Sequence, residues 1–291
     1  MRRIVIFLAL VGVGVYSFLV FKPLQIAKYF VVEKWYEMKL AENQESHETV
    51  RNLVSMDIQN AKSGSFESGV LTEMEKNLKN EEESLTQAQD ASKLISNMSL
   101  PEEYKDVVAV SSEADGIRKT AFETWAKTVT MWKRVRELVT RFEAARKSVE
   151  ETAVAFKTEG VTGENIERMK KSLDEIESVR LGVEELSKED MLTRDLIAFF
   201  NQAGDDFARL SKIVQGLENN QGGVSEKLTA GISSPVQGVS FANQERILSD
   251  WIEKKVLPGF TETQVLWEKE KALRVRRELL KEEIARGDGS K

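Results

Sequence analysis

The side chains that most often perform chemistry are scarce in this chain. His47 is the only histidine, and there is no cysteine. Without cysteine there can be no zinc–thiolate or iron–sulfur site, no thiol nucleophile, no disulfide and no lipid-modified cysteine. Glu45 and Glu48 flank His47, yet the Glu-x-x-His pairs of a di-iron bundle need two inward-facing histidines. A Ser–His–Asp triad would have to use His47, and no G-x-S-x-G elbow or S-x-x-K serine accompanies it. No P-loop or G-x-G-x-x-G is present. Carboxylates are abundant, so a pair of them proves nothing. The expectation is therefore a protein that is not an enzyme and holds no cofactor or metal.

His47 falls in a helical stripe with Asn43, which reads as a polar pairing that fixes register across a bundle. The sharper alternative makes His47 a ligand or a pH-sensitive group. Trp125 and Trp132 lie seven apart on one helix face, with Phe122 beside them. Such a stripe reads first as core. The alternative is a pocket between helices near Trp125 and Trp132, so His47, Trp125 and Trp132 are the candidate residues facing a ligand or partner. Phe199 and Phe200 read as core, or else as a docking patch. Asn97, Met98 and Ser99 match the N-glycosylation pattern, which is common by chance.

The elements that must position these residues are helices. Hydrophobic residues make up 41% of the chain and charged residues 31%, enough for a core and too apolar for disorder. The four prolines, at 23, 101, 235 and 258, are few for a sheet protein. The net charge of −6 and the lack of a basic block argue against nucleic acid.

The first stripe runs through Tyr36, Leu40, Asn43, His47, Val50, Val54 and Ala61 and breaks at Ser63, Gly64 and Ser65. A second helix over about 67–99 carries a heptad seam that includes Leu78, Glu81 and Leu85. The third, over about 102–157, starts after Pro101 and holds Val110, Ala114, Ile117, Ala121, Trp125, Val129, Trp132 and Phe142 on one face. From Val107 to Phe156 that stripe persists for roughly 75 Å at helical rise. Average helices have only about 11–12 residues, so an elongated antiparallel bundle with coiled-coil-like helices is implied. Gly160 to Gly163 ends it. Ser187, Lys188, Glu189 and Asp190 look like the capped start of a fifth helix, the alternative being that the fourth runs straight on. Residues 216–240 read as a flexible Gly/Ser/Asn loop. A short helix is stopped by Pro258 and Gly259, and a last helix over about 261–286 offers Val265, Leu266, Ala272, Leu273, Leu279, Leu280 and Ile284.

One segment stands apart. Arg2 and Arg3 precede an uncharged run over 4–21, 18 residues, about 27 Å as a helix. Ile4, Phe7, Leu8, Leu10, Val11, Val15, Phe18, Leu19 and Phe21 would be the membrane-facing residues of a transmembrane anchor. Gly12 and Gly14 within it suit helix packing. The run is long for a signal peptide and lacks a small-residue cleavage site, so a retained signal-anchor is favoured over secretion after cleavage. The two arginines and the amine suit the cytoplasmic flank, placing the large domain outside the cytoplasm, periplasmic or extracellular.

The domain reading is 1–24 anchor or signal peptide, 25–215 long-helix bundle, 216–240 loop, and 241–291 C-terminal helices packing on the bundle. The function reading is a non-enzymatic, membrane-anchored helical bundle of the cell envelope, structural or protein-binding. Its partners would be the membrane, an unidentified protein, and a second copy in a homo-oligomer. The alternative is an extracytoplasmic ligand-binding or sensory domain.

Overall fold

The computed structural model describes the backbone over residues 2–62, 69–219 and 241–286, and side chains over 24–61, 69–216 and 245–286. The chain is all helical, with no strand among the described residues. Its elements are α1 (Arg2–Lys62), α2 (Val70–Ser96), a 3₁₀ turn (Glu102–Tyr104), α3 (Lys105–Thr158), α4 (Gly163–Lys188), α5 (Arg194–Asn219), α6 (Phe241–Trp251), a π turn (Ile252–Val256) and α7 (Leu257–Arg286). Among the described residues no helix is long and apolar enough to cross a membrane. The anchor expected over 4–21 lies outside the residues described at side-chain level.

Local chemistry explains the boundaries. Gly69 opens α2 with φ of 105°, and Gly160 follows α3 with φ of 84°, both left-handed conformations that suit glycine. Thr162 caps α4 by accepting from the Asn165 amide at 3.2 Å. The cap expected at Ser187 to Asp190 is instead a helix end. Asp190 takes φ of 54°. Its amide bonds the Ser187 carbonyl, and the Met191 amide bonds that of Leu186, a Schellman closure. Thr193 is the cap of α5, accepting from the Leu196 amide at 3.4 Å.

The stop expected at Pro258 and Gly259 is also corrected. Pro258 lacks the N–H that would reach Lys254, and the preceding π turn absorbs the interruption, so α7 follows directly. Gly259 is needed there for space, since a Cβ would lie 2.1 Å from the Thr128 hydroxyl oxygen. Helix α5 runs on to Asn219, past the boundary expected at 216. The remainder of the expected loop, 220–240, lies outside the described residues.

The chain forms two compact units: Met1–Ser55, Gly69–Ala126 and Thr261–Lys291 make the first, and Met56–Ser68 with Lys127–Phe260 the second. In the first, Tyr29, Tyr36 and Leu40 of α1 pack with Ala88, Ala91 and Ile95 of α2. In the second, Phe142 is met edge-on by Phe199 at 5.8 Å and Phe200 at 5.4 Å. Both phenylalanines are therefore core rather than a docking patch. Trp132 stacks with Trp251 at 6.0 Å.

Candidate functional site

The candidate site is the polar interior of the first unit. Tyr29, Glu33, Tyr36, Leu40, Asn43 and His47 of α1 alternate by four and three and are all buried. That spacing keeps them on one helix face, so α1 turns a largely polar seam inward. Helix α7 answers it with Thr263, Glu270 and Arg277, spaced by sevens and its only buried residues. The apolar positions expected to pack α7 are not its buried ones. Val265, Ala272 and Leu279 are exposed and Leu266, Leu273, Leu280 and Ile284 only half-buried, because the charges of α1 and α3 need partners more than α7 needs burial.

The interior groups meet in four layers. In the first, Arg277 Nη2 donates to Glu33 Oε1 at 2.7 Å, and Lys281 Nζ reaches Glu33 at 3.0 Å and Glu37 at 2.9 Å. In the second, the Tyr36 hydroxyl donates to Asp115 Oδ1 at 2.6 Å. In the third, Arg118 is 1% exposed and donates through Nε at 3.1 Å and Nη2 at 2.5 Å to the same Glu270 oxygen. Arg274 Nε also lies 2.7 Å from that oxygen. The Arg118 guanidinium sits 4.9 Å over the Trp267 ring.

In the fourth layer, His47 Nδ1 and Glu81 Oε1 are 2.9 Å apart, and Asn43 Nδ2 donates to the Glu81 carbonyl at 2.8 Å. Trp125 and Trp267 flank the imidazole with ring centroids at 5.1 and 4.7 Å.

Burial sets the electrostatics. Desolvation pushes the Glu81 carboxyl above the usual carboxylate range, with His47 and the Trp125 indole opposing. Asp115 is raised for the same reason, against hydrogen bonds from Ser92 and Tyr36 and the charge of Arg118. Burial lowers Arg118, with Glu270 resisting. A histidine–carboxylate pair can move a proton when a substrate reaches it. Here His47 is 8% exposed and Glu81 fully buried, and their neighbours are two indoles and an asparagine. Among the described residues no three His, Cys, Asp or Glu are placed to hold a metal.

Of the candidate residues, His47 and Trp125 come together, and Asn43 joins them through Glu81. Trp132 does not: it belongs to the second unit. Its Nε1 donates to Asp57 Oδ2 at 3.0 Å, and Arg136 also reaches Asp57, at 3.2 Å from Oδ1. Both indoles are buried. Arg118 is buried where Ile117 had been expected to face inward.

Sequence reasoning missed Glu33, Asp57, Asp115, Arg118, Arg136, Glu270 and Arg277. The available signal was charge at seam register, clearest in the sevenfold spacing of Thr263, Glu270 and Arg277. The second unit also has an open groove of about 430 Å³ between α4 and α5. Arg180, which lines it, is paired with Glu177 and Glu184.

The chain matches no protein-family model, and no curated protein or solved structure is detectably similar to it.

Proposed function

We propose that this protein is a membrane-anchored, non-catalytic helical bundle of the cell envelope that serves as a structural or protein-binding module. The observation that carries the reading is the use of the interior charges. Arg277 binds Glu33, Tyr36 binds Asp115, Arg118 binds Glu270 and His47 meets Glu81, across α1, α2, α3 and α7. Groups so engaged fix helix register and identity, and catalysis would need them turned toward a substrate. The anchor half of the reading rests on the run 4–21 with Arg2 and Arg3 before it.

The test uses the absence of cysteine. Full-length protein carrying Ser290→Cys is followed through a carbonate wash and labelled in spheroplasts with a membrane-impermeant thiol reagent. Retention with membranes and labelling before lysis is the expected result. Release by carbonate refutes the anchor, and labelling only after lysis refutes the envelope location.

A further inference from the structure

At the end of the first unit that leads into the run 4–21, α1 turns large apolar side chains outward. Leu24 is 64% exposed, Phe30 53% and Val31 72%. Leu24 and Val31 are seven residues apart and share a helix face, and Phe30 lies about 100° round the helix from Val31. The other side of the same turns is core: Tyr29 is buried, and Tyr104 meets it edge-on at 5.0 Å. Single exposed apolar residues need no explanation, but three bulky ones within eight positions form a patch. Lys28 and Lys34, both exposed, interleave with them. The acid in this stretch, Glu33, points inward to Arg277 and Lys281. On the adjoining turn Glu102 is paired with Lys105, leaving Glu103. The outward side chains of α1 itself over 24–34 are therefore apolar and cationic.

We infer that Leu24, Phe30 and Val31, with Lys28 and Lys34, rest in the headgroup layer of the membrane that holds the run 4–21, so that the first unit leans on the bilayer surface. This rests on the anchor reading above. The run covers about 27 Å and a hydrocarbon core about 30 Å, so the core boundary falls past Phe21, near Leu24. Val31 lies about 10 Å further along the helix, and a headgroup layer is about 5–7 Å thick. A tilt within the ordinary range of about 0–40°, directed toward the Leu24 and Val31 face, lowers that face into the layer. The two lysines then meet anionic headgroups while their stems cover the apolar patch. Met38 is on the same face but about 20 Å beyond the boundary, and stays in water at any such tilt.

The experiment takes full-length protein in vesicles of phosphatidylcholine and phosphatidylglycerol. Four variants, Val11→Cys, Leu24→Cys, Val31→Cys and Met38→Cys, each carry one nitroxide label. Collision with oxygen reports lipid, and collision with a water-soluble nickel chelate reports water. The expected pattern is lipid at Val11, with nickel accessibility at Leu24 and Val31 several-fold below that at Met38 and oxygen accessibility retained. Lipid at Val11 with Val31 as nickel-accessible as Met38 overturns the leaning surface and leaves the anchor standing. Val31 shielded from both reagents also overturns it, in favour of a protein or a second copy on that face. Water at Val11 removes the anchor and the inference together. Leu24, Val31 and Met38 are exposed, so labels there leave the core intact.

Discussion

Replacing Glu270 with Gln should destabilise the first unit more than replacing Arg118 with Met, although the two residues share one ion pair. Both side chains are nearly inaccessible, at 1% and 4% exposure. Breaking a buried pair from one side costs about 3–5 kcal/mol, because the remaining charge is stranded. What each loss strands differs here. Without Arg118, Glu270 keeps Arg274 at 2.7 Å, so the cost falls near the low end, about 3 kcal/mol. Without the Glu270 charge, Arg118 faces the like charge of Arg274. Its contacts are then all with neutral groups: the amide oxygen of the substituted side chain, the Trp267 ring, the Asn43 oxygen at 3.4 Å and the Leu40 carbonyl at 3.5 Å. That cost falls near the high end, about 5 kcal/mol. The double variant with Met at both positions removes both charges and should return to within about 1 kcal/mol of the parent, or exceed it.

Urea unfolding of the full-length protein in detergent, followed by tryptophan fluorescence, reads the difference, with Trp267 reporting from beneath the Arg118 guanidinium. A gap of about 2 kcal/mol separates the two midpoints by about 1 M at a typical slope. Equal costs, a reversed order, or a double variant as unstable as the sum of the singles would refute the reasoning.

Glu81→Gln keeps an acceptor for His47 and removes the carboxylate. Because burial raises the Glu81 carboxyl, the folded state holds its proton more tightly than the unfolded state. The stability this group contributes is complete below the ordinary glutamate range, about pH 4.3. It is lost as pH rises through the raised folded value. The parent should therefore lose ground to Glu81→Gln between acidic and neutral pH in paired urea titrations; a pH-independent difference, or one of opposite sign, would show that burial does not control this group. In the second unit, Trp132→Phe deletes one donor to Asp57 and leaves Arg136 in place, for a loss of about 1–2 kcal/mol. Asp57→Leu strands the buried Arg136 guanidinium and should cost about 3–5 kcal/mol. Midpoints in the same urea assay check that order, and equal losses would mean that the Arg136 charge finds another partner.

The sequence by itself determined that the chain is helical and where most helices lie. Apolar residues recurring by three and four, as in Ala121, Trp125, Val129 and Trp132, are a local record of which face turns inward, because burial rewards one face over many turns. Gly160 and Thr162 marked a boundary through their own backbone and side-chain preferences. The placement of Asn43 and His47 in a buried seam was legible for the same reason. Helix α7 was not. Its apolar residues look inward by pattern, yet Val265 and Leu279 are exposed and Leu266, Leu273 and Leu280 only half-buried, since Glu270 and Arg277 answer charges on α1 and α3 some 150–240 residues away in the chain.

Pro258 misled for a related reason: a proline ends a helix locally, and a π turn before it lets the helix continue. Which partner each buried charge finds, and hence that His47 meets Glu81 and Trp125 while Trp132 meets Asp57, only the tertiary structure decided. Spacing along one helix fixes a face, whereas pairing depends on the relative placement of several helices. The energy that chooses it, the cost of leaving a buried charge without a partner, exists only once the bundle has closed.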